Sequence, residues 1–319
     1  MQSELPPIAV WQWLAFGAFV VALLAADLLI FHGHPKAPTL MASAALVVFW
    51  CLLAAGFNGL IWHWRGETAA LEFLAGYLLE WSLSMDNVFV FAVIFRYFQV
   101  HSQHQYRILY WGILGAIFTR LAFILGGTAL TARFQVVLPL FGVFLVMTAV
   151  KLARPAGGEV DPEQNVVLRL ARRWLPMAKK GTAIYGREFF IREDGHLRVM
   201  PIFLVLLVIE STDVLFAVDS VPAIFGITRD PFIVFTSNVC AILGLRALYF
   251  LLAGVMELFR YLNYGLAAIL GFVGLKMIAE WSAGRELIPI WGSLLTIASL
   301  LALCILASLL AGRKGDDAG

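Results

Sequence analysis

Charge is what this sequence has least of. Only 14% of its 319 residues are Asp, Glu, Lys or Arg, against roughly a quarter in soluble chains, while 61% are hydrophobic. The apolar residues run along the whole length, with a mean hydropathy of +0.86. That excludes a soluble globule, and equally a soluble domain on one anchor. Cysteine is scarce: Cys51, Cys240 and Cys304 all lie in apolar runs, an odd number that offers neither a disulfide framework nor a zinc spacing. The histidines (His32, His34, His63, His101, His104, His196) sit at the ends of apolar runs or in the longest connection. No His-Glu-x-x-His, Gly-x-Ser-x-Gly or Walker loop occurs, so an enzyme is not expected. A net charge of +2 gives no electrostatic footprint for nucleic acid. No basic stretch precedes the first apolar run, which is therefore expected to remain in the mature protein.

What is present is apolar sequence in nine runs: 8–31, 40–61, 72–95, 108–130, 136–152, 200–225, 231–255, 262–281 and 288–310. In lipid every backbone polar group must be satisfied within its own segment, so each run is expected to be helical. The predicted fold is all-α: a polytopic membrane protein of about nine transmembrane helices. Nine crossings put the termini on opposite faces. The face carrying Lys36, Arg96, Arg107, Arg260, Arg313, Lys314 and the connection after the fifth run holds 16 of the 23 basic residues. It is assigned to the cytoplasm, with the N-terminus outside and the C-terminus inside. Trp11, Trp13, Trp62, Trp64, Trp281 and Trp291 then fall on the outer face as an interfacial belt. The insert 153–199 reads as a basic amphipathic stretch, 166–180, lying on anionic headgroups. A hairpin turn at Glu193, Asp194 and Gly195 is expected after it.

Five carboxylates interrupt two of the runs: Glu80 and Asp86 in the third, Glu210, Asp213 and Asp219 in the sixth. An ionisable group at the centre of a span costs about 2.5–3.5 kcal/mol, so such groups usually face a bundle interior or a water-filled path. Glu210 and Asp213, three apart, share a helical face, but Glu80 and Asp86, six apart, diverge on an unbroken helix. Breaks are therefore expected, at Asp219, Ser220 and Pro222 and around Ser82, Ser84 and Asn87. Discontinuous helices of this kind present carbonyls and side-chain oxygens to ions. Arg120 and Arg246 are available to neutralise two of the five acids, leaving three negative charges for a cation or protons to balance. Asp27 and Asn58 are either packing contacts or supporting groups.

The spacing recurs. Asp86 to Arg120 is 34 residues and Asp213 to Arg246 is 33; Asp86 to Lys151 is 65 and Asp213 to Lys276 is 63. Runs three to five (72–152) thus read as a repeat of runs six to eight (200–281). Three crossings per copy make the second copy inverted, with a site at the interface between the two. The donors gathered at the centre are all hard oxygens: the five carboxylates, Asn87, Asn238, and the hydroxyls of Ser84, Ser211, Thr212 and Ser220. Such a set suits manganese, magnesium or calcium and argues against copper or zinc as cargo.

The blocks EWSLSMDNVFVF (80–91), DVLFAVDSVPAIF (213–225) and TSNVCAILGLRALYF (236–250) resemble the signature blocks of the TerC family. The layout is similar to that family's Alx-type manganese exporters, and the likeness extends from about Asp27 to the ninth run. The resemblance implies export of Mn2+ from the bacterial cytoplasm across the inner membrane, with Glu80, Asp86, Glu210, Asp213 and Asp219 at the family's acidic positions. It also brings a departure, since Leu287 stands where a His is expected before Ile288 and Pro289. The expected site is one divalent cation near mid-bilayer, held by Glu80, Asp86, Asn87, Glu210, Asp213, Asp219 and Asn238. Arg120, Arg246, Ser84, Thr212, Ser220, Lys276 and Asp27 support it as counter-charges or outer contacts, and protons are the expected counter-ion. The alternatives are transport of Ca2+ or of a proton-coupled cargo, or a non-transporting membrane subunit of a metal or tellurite stress response.

Overall fold

A computed structural model describes residues 8–31, 39–134, 136–154, 165–178, 188–193, 195–253 and 262–316. Its helices are α1 (Val10–Phe31), α2 (Leu40–Arg65), α3 (Glu67–Tyr97), α4 (Ser102–Arg133), α5 (Val137–Ala153), α6 (Val166–Trp174), α7 (Pro201–Phe225), α8 (Pro231–Leu243), α9 (Leu245–Ala253), α10 (Leu262–Ala283) and α11 (Ile290–Asp316). The two strands, β1 (Phe190–Glu193) and β2 (His196–Val199), lie between α6 and α7.

Local signals explain the boundaries. Thr39 caps α2 by accepting from the Ala42 amide. Gly66 alone separates α2 from α3, and its φ of +88° is one that a glycine adopts without a Cβ clash. Asp230 caps α8, accepting from the amides of Phe232 and Ile233, with Pro231 at the first helical position. The expected hairpin is present: β1 and β2 are antiparallel, Glu193 pairs with His196, and Gly195 turns the chain at φ +76°.

Among the described residues, seven helices are long and apolar enough to cross a membrane: α1, α2, α3, α4, α7, α10 and α11. The pair α8 and α9, bent by 41°, makes an eighth if taken as one span. The remaining run, 136–152, forms α5, whose 17 residues are fewer than the usual 20 or so. The helix breaks expected in α3 and α7 are absent. Helix α3 runs unbroken for 31 residues, and α7 continues through Asp219, Ser220 and Pro222. Pro222 lies within a turn of the end of α7, where losing one backbone hydrogen bond disturbs little that follows. The bend falls instead at Gly244, between α8 and α9.

Of the seven single-helix span candidates α3 is the most enclosed, with Phe73, Leu79, Glu80, Ser82, Val88 and Phe91 all at 1% exposure or less, and it packs chiefly on α8. Helix α4 packs on α7, and α5 on α10. The last contact is made by glycines. A Cβ on Gly142 would lie 2.8 Å from the Gly274 carbonyl oxygen, and one on Gly274 would lie 2.7 Å from the Gly142 carbonyl. The two backbones approach as closely as side-chain-free positions allow, the usual way helices gain packing energy in lipid.

Gly142→Leu is accordingly expected to force α5 from α10 and to cost about 1–3 kcal/mol or more. Gly56→Ala, where the added methyl meets nothing within 4 Å, is expected to be neutral or to gain up to about 1 kcal/mol from helix propensity. Thermal unfolding in detergent, read by size-exclusion chromatography, compares the two.

Candidate functional site

Because α3 is unbroken, Glu80 and Asp86 leave it about 120° apart and enter different surroundings. Glu80, fully buried, meets Arg120 of α4. The guanidinium donates through Nη1 to Glu80 Oε2 at 2.5 Å and to Asn238 Oδ1 of α8 at 2.8 Å. Asn238 Nδ2 donates to the same Glu80 oxygen at 3.1 Å, and Ser84 Oγ to the other at 3.4 Å. This is a closed network: one anion, one cation, and an amide that both accepts and donates. Buried ion pairs survive when extra hydrogen bonds satisfy the remaining lone pairs. Glu80 and Asn238, both expected among the cation ligands, are held here by Arg120.

Arg246 of α9 makes a second buried pair. It forms a salt bridge to Asp27 of α1, and its guanidinium carbon lies 4.1 Å from the ring centre of Tyr106. The sequence accounting therefore changes. Arg246 pairs with Asp27, and among the described residues Glu80 is the one of the five acids in an ion pair with an arginine. Linear spacing links Arg246 to Asp213 within one expected repeat; only the packing brings α1 alongside.

Asp86 and Asp219 line one cavity of about 70 Å³, together with Asn87, Thr148, Ser220 and Arg120. Leu83, Leu152, Phe216, Leu266 and Leu270 close it. Its volume is several times what a single water needs, roughly 10–15 Å³. Asp219 accepts from Thr148 Oγ1 at 3.3 Å, and Lys151, one turn further along α5, acts on it electrostatically. The Ser220 hydroxyl, in a side chain 1% exposed, has no hydrogen-bond partner among the described residues. Asp86, Asp219, Asn87, Ser220 and Thr148 are a hard-oxygen donor set carrying two formal negative charges, which fits a divalent cation keeping some of its water.

Asp213, 5% exposed, lines a second, smaller void of about 10 Å³ with Arg246, Gly112 and apolar side chains. It makes no hydrogen bond or ion pair with a described residue, and the charges acting on it are Arg120 and Glu80. Glu210, one turn earlier on the same face, rests its carboxylate on Gly115 of α4: a Cβ there would lie 2.0–2.2 Å from the carboxylate atoms. No group of three or more His, Cys, Asp or Glu side chains converges among the described residues. The expected single site joining all five acids is not assembled in this conformation, because unbroken helices hold residues six apart on different faces.

The other expected residues scatter further. Thr212 donates to the Val208 carbonyl of its own helix at 2.7 Å, the back-bonding usual for hydroxyls in apolar helices. Lys276 donates to the Gly226 carbonyl at 3.3 Å and lies 3.8 Å from Glu280, so it holds the end of α7 and does not line the cavity. Leu287 is half exposed, and its amide donates to Glu280. Two contributors were missed. Thr148 stands three residues before Lys151 and so on the same face of α5, a signal that was available; nothing in the sequence links Tyr106 to Arg246.

Long apolar helices enclosing buried ion pairs and an acid-lined cavity define a polytopic integral membrane protein with a polar interior. Residues 65–316 match the family described as "Integral membrane protein TerC family", and the chain belongs to that family. It is 44% identical over 302 residues to "Uncharacterized membrane protein STKORF319" of Myxococcus xanthus, covering 94% of this chain and 92% of that one. It is 45% identical over 276 residues to "Putative membrane-bound redox modulator Alx" of Escherichia coli (strain K12), covering 83% and 85%. The protein of that name from Salmonella typhi is 44% identical over 276 residues, covering 83% and 84%. No solved structure matches the chain.

Arg120→Leu leaves Glu80 buried alone and is expected to destabilise by about 3–5 kcal/mol. Glu80→Gln combined with Arg120→Gln removes both charges and should recover most of that loss. Equal losses in the two variants, by thermal unfolding in one detergent, would show that these side chains act by packing and not by charge.

Proposed function

We propose that this protein transports a divalent metal cation, Mn2+ foremost, out of the bacterial cytoplasm across the inner membrane. The observation that carries the reading is the cavity lined by Asp86 of α3 and Asp219 of α7, with neutral oxygens around it; the Arg120 in its wall is bonded to Glu80, and Lys151 acts on Asp219 from α5. Two part-buried carboxylates in a membrane bundle, neither of them in an ion pair among the described residues, ask for a mobile counter-charge. Manganese ranks above calcium and magnesium through the likeness to Alx-type exporters; the donor set accepts all three. Transport ranks above catalysis because no nucleophile and base are paired at the cavity.

Alternating access would follow from an inverted repeat, which the helix contacts support. Helix α3 packs on α8 while α4 packs on α7, the exchanged partnership expected when 72–152 and 200–281 are inverted copies. The reciprocal contact of Gly142 with Gly274 has the same character. Rocking one copy against the other would open the cavity to each face in turn. On this reading the N-terminus is outside and the C-terminus in the cytoplasm, with protons as counter-ion. Arg120 balances the charge of Glu80 meanwhile, so that this acid adds no unpaired negative charge to the emptied path. The second reading is a non-transporting subunit that adjusts the redox or metal-stress state of the membrane, which the printed name of the Alx relatives supports.

One assay separates them. Purified protein in liposomes, offered Mn2+, Ca2+ and Mg2+ in turn, is expected to take up Mn2+ fastest. Asp86→Asn and Asp219→Asn, each present at native amounts, are expected to reduce uptake to the level of empty liposomes. Uptake of none of the three ions by the native chain would favour the subunit reading; native uptake by both variants would remove the cavity from the path.

A further inference from the structure

The structure separates the acids of α7 into two rooms. Asp213 lines the void of about 10 Å³, and Asp219 the cavity of about 70 Å³. On a continuous helix they stand six residues apart, about 9 Å along the axis and about 120° around it. Arg120 bears on both rooms, and Arg246 lines the smaller one. Arg120 is part of the wall of the larger cavity, it is bonded to Glu80 and Asn238, and its charge also acts on Asp213.

Asp213 is 95% buried and has no hydrogen bond or ion pair with a described residue. A carboxylate so placed is costly unless some partner arrives. Its void is at the size of one water, so a cation with part of its hydration shell requires the walls to part. Those walls are thin on the α4 side: Gly112 lines the void and Gly115 carries Glu210 against its bare backbone. Glu210 is thus placed, one turn away, to supply the second carboxylate once the void widens.

We propose that the cation path has two carboxylate stations in series, Asp213 with Glu210 and then Asp86 with Asp219, and that Arg120 is the barrier between them. The inference rests on the transport reading above and deepens it. In the present conformation the second station is expanded and the first collapsed. When a cation enters the first station, its charge repels the Arg120 guanidinium and weakens the hold of Glu80 and Asn238 on it. The guanidinium yields, and the cation passes to the waiting pair. Between passages Arg120 returns to Glu80 and closes the route.

Purified full-length protein with Mn2+ as the probe tests this, by equilibrium dialysis for binding and by liposome uptake for transport. Asp86→Asn is expected to weaken binding about 10–100-fold, as loss of a metal contact does. Asp213→Asn is expected to keep binding within about twofold of native, as distant sites do, yet to lose uptake. Native uptake by Asp213→Asn, or binding lost as fully as in Asp86→Asn, would overturn the two stations in favour of a single one. The barrier is tested separately with the neutral pair Glu80→Gln and Arg120→Gln, chosen because it leaves no lone buried charge. Liposomes loaded with Mn2+ and given no other ion gradient are expected to leak faster with this variant than with native protein. Native-level leak from a properly assembled variant would remove Arg120 as the barrier. If Asp86→Asn and Asp219→Asn both bind as the native chain does, the cavity itself is not the cation's place. That outcome removes the cavity on which the transport reading was built, whatever Asp213→Asn does, whereas a failure confined to Asp213→Asn removes the first station alone.

Discussion

The cost of leaving a carboxylate in oil governs this molecule. Glu80 sits fully buried in the middle of α3, and it is tolerable there because one guanidinium and one amide answer it. Arg120 comes from α4 and Asn238 from α8, so neutralising a single charge on α3 ties three helices at one depth. Hydrophobic attraction between helices is weak in lipid, and polar links and close backbone contact set which helices meet. The pair of Arg246 with Asp27 does the same work at the periphery, docking α1 onto α9.

Helix continuity then decides what the remaining acids do. Residues six apart on an α-helix never share a face, so α3 and α7 each send their acids to more than one room. One acid of α3 is neutralised by Arg120 and the other is turned toward α7, where Asp219 joins it from the opposite direction. A polar cavity results between helices that are otherwise apolar.

The far end of α7 is fastened on three sides. Lys276 holds the Gly226 carbonyl, Thr228 donates to Glu72 at 2.6 Å, and Arg65 binds Asp230 at 2.6 Å. These contacts anchor the turn into α8 against α3 and the end of α2, so the last turn of α7 needs little from its own backbone. Pro222 is tolerated where it stands for that reason. The bend lies instead at Gly244, beside Arg246.

Much of this was legible from residues alone. Low charge and long apolar runs required a helical membrane protein, because lipid leaves the backbone no other way to satisfy itself. The acids that matter were visible as charges inside spans, and the Glu193 to Gly195 hairpin as a turn between short runs. Partnership was not visible. Arg120 and Arg246 could be seen to be buried cations, but Arg246 stands 219 positions from Asp27, and no periodicity connects them. Thr148 and Tyr106 gain their places from helices that approach only after folding. Composition and spacing thus determined which groups must be buried and on which face of each helix, since those depend on the bilayer and on 3.6 residues per turn. Which charge meets which, and where space is left between them, was decided by how the helices pack, because an ion pair is a property of two surfaces and a sequence describes them one at a time.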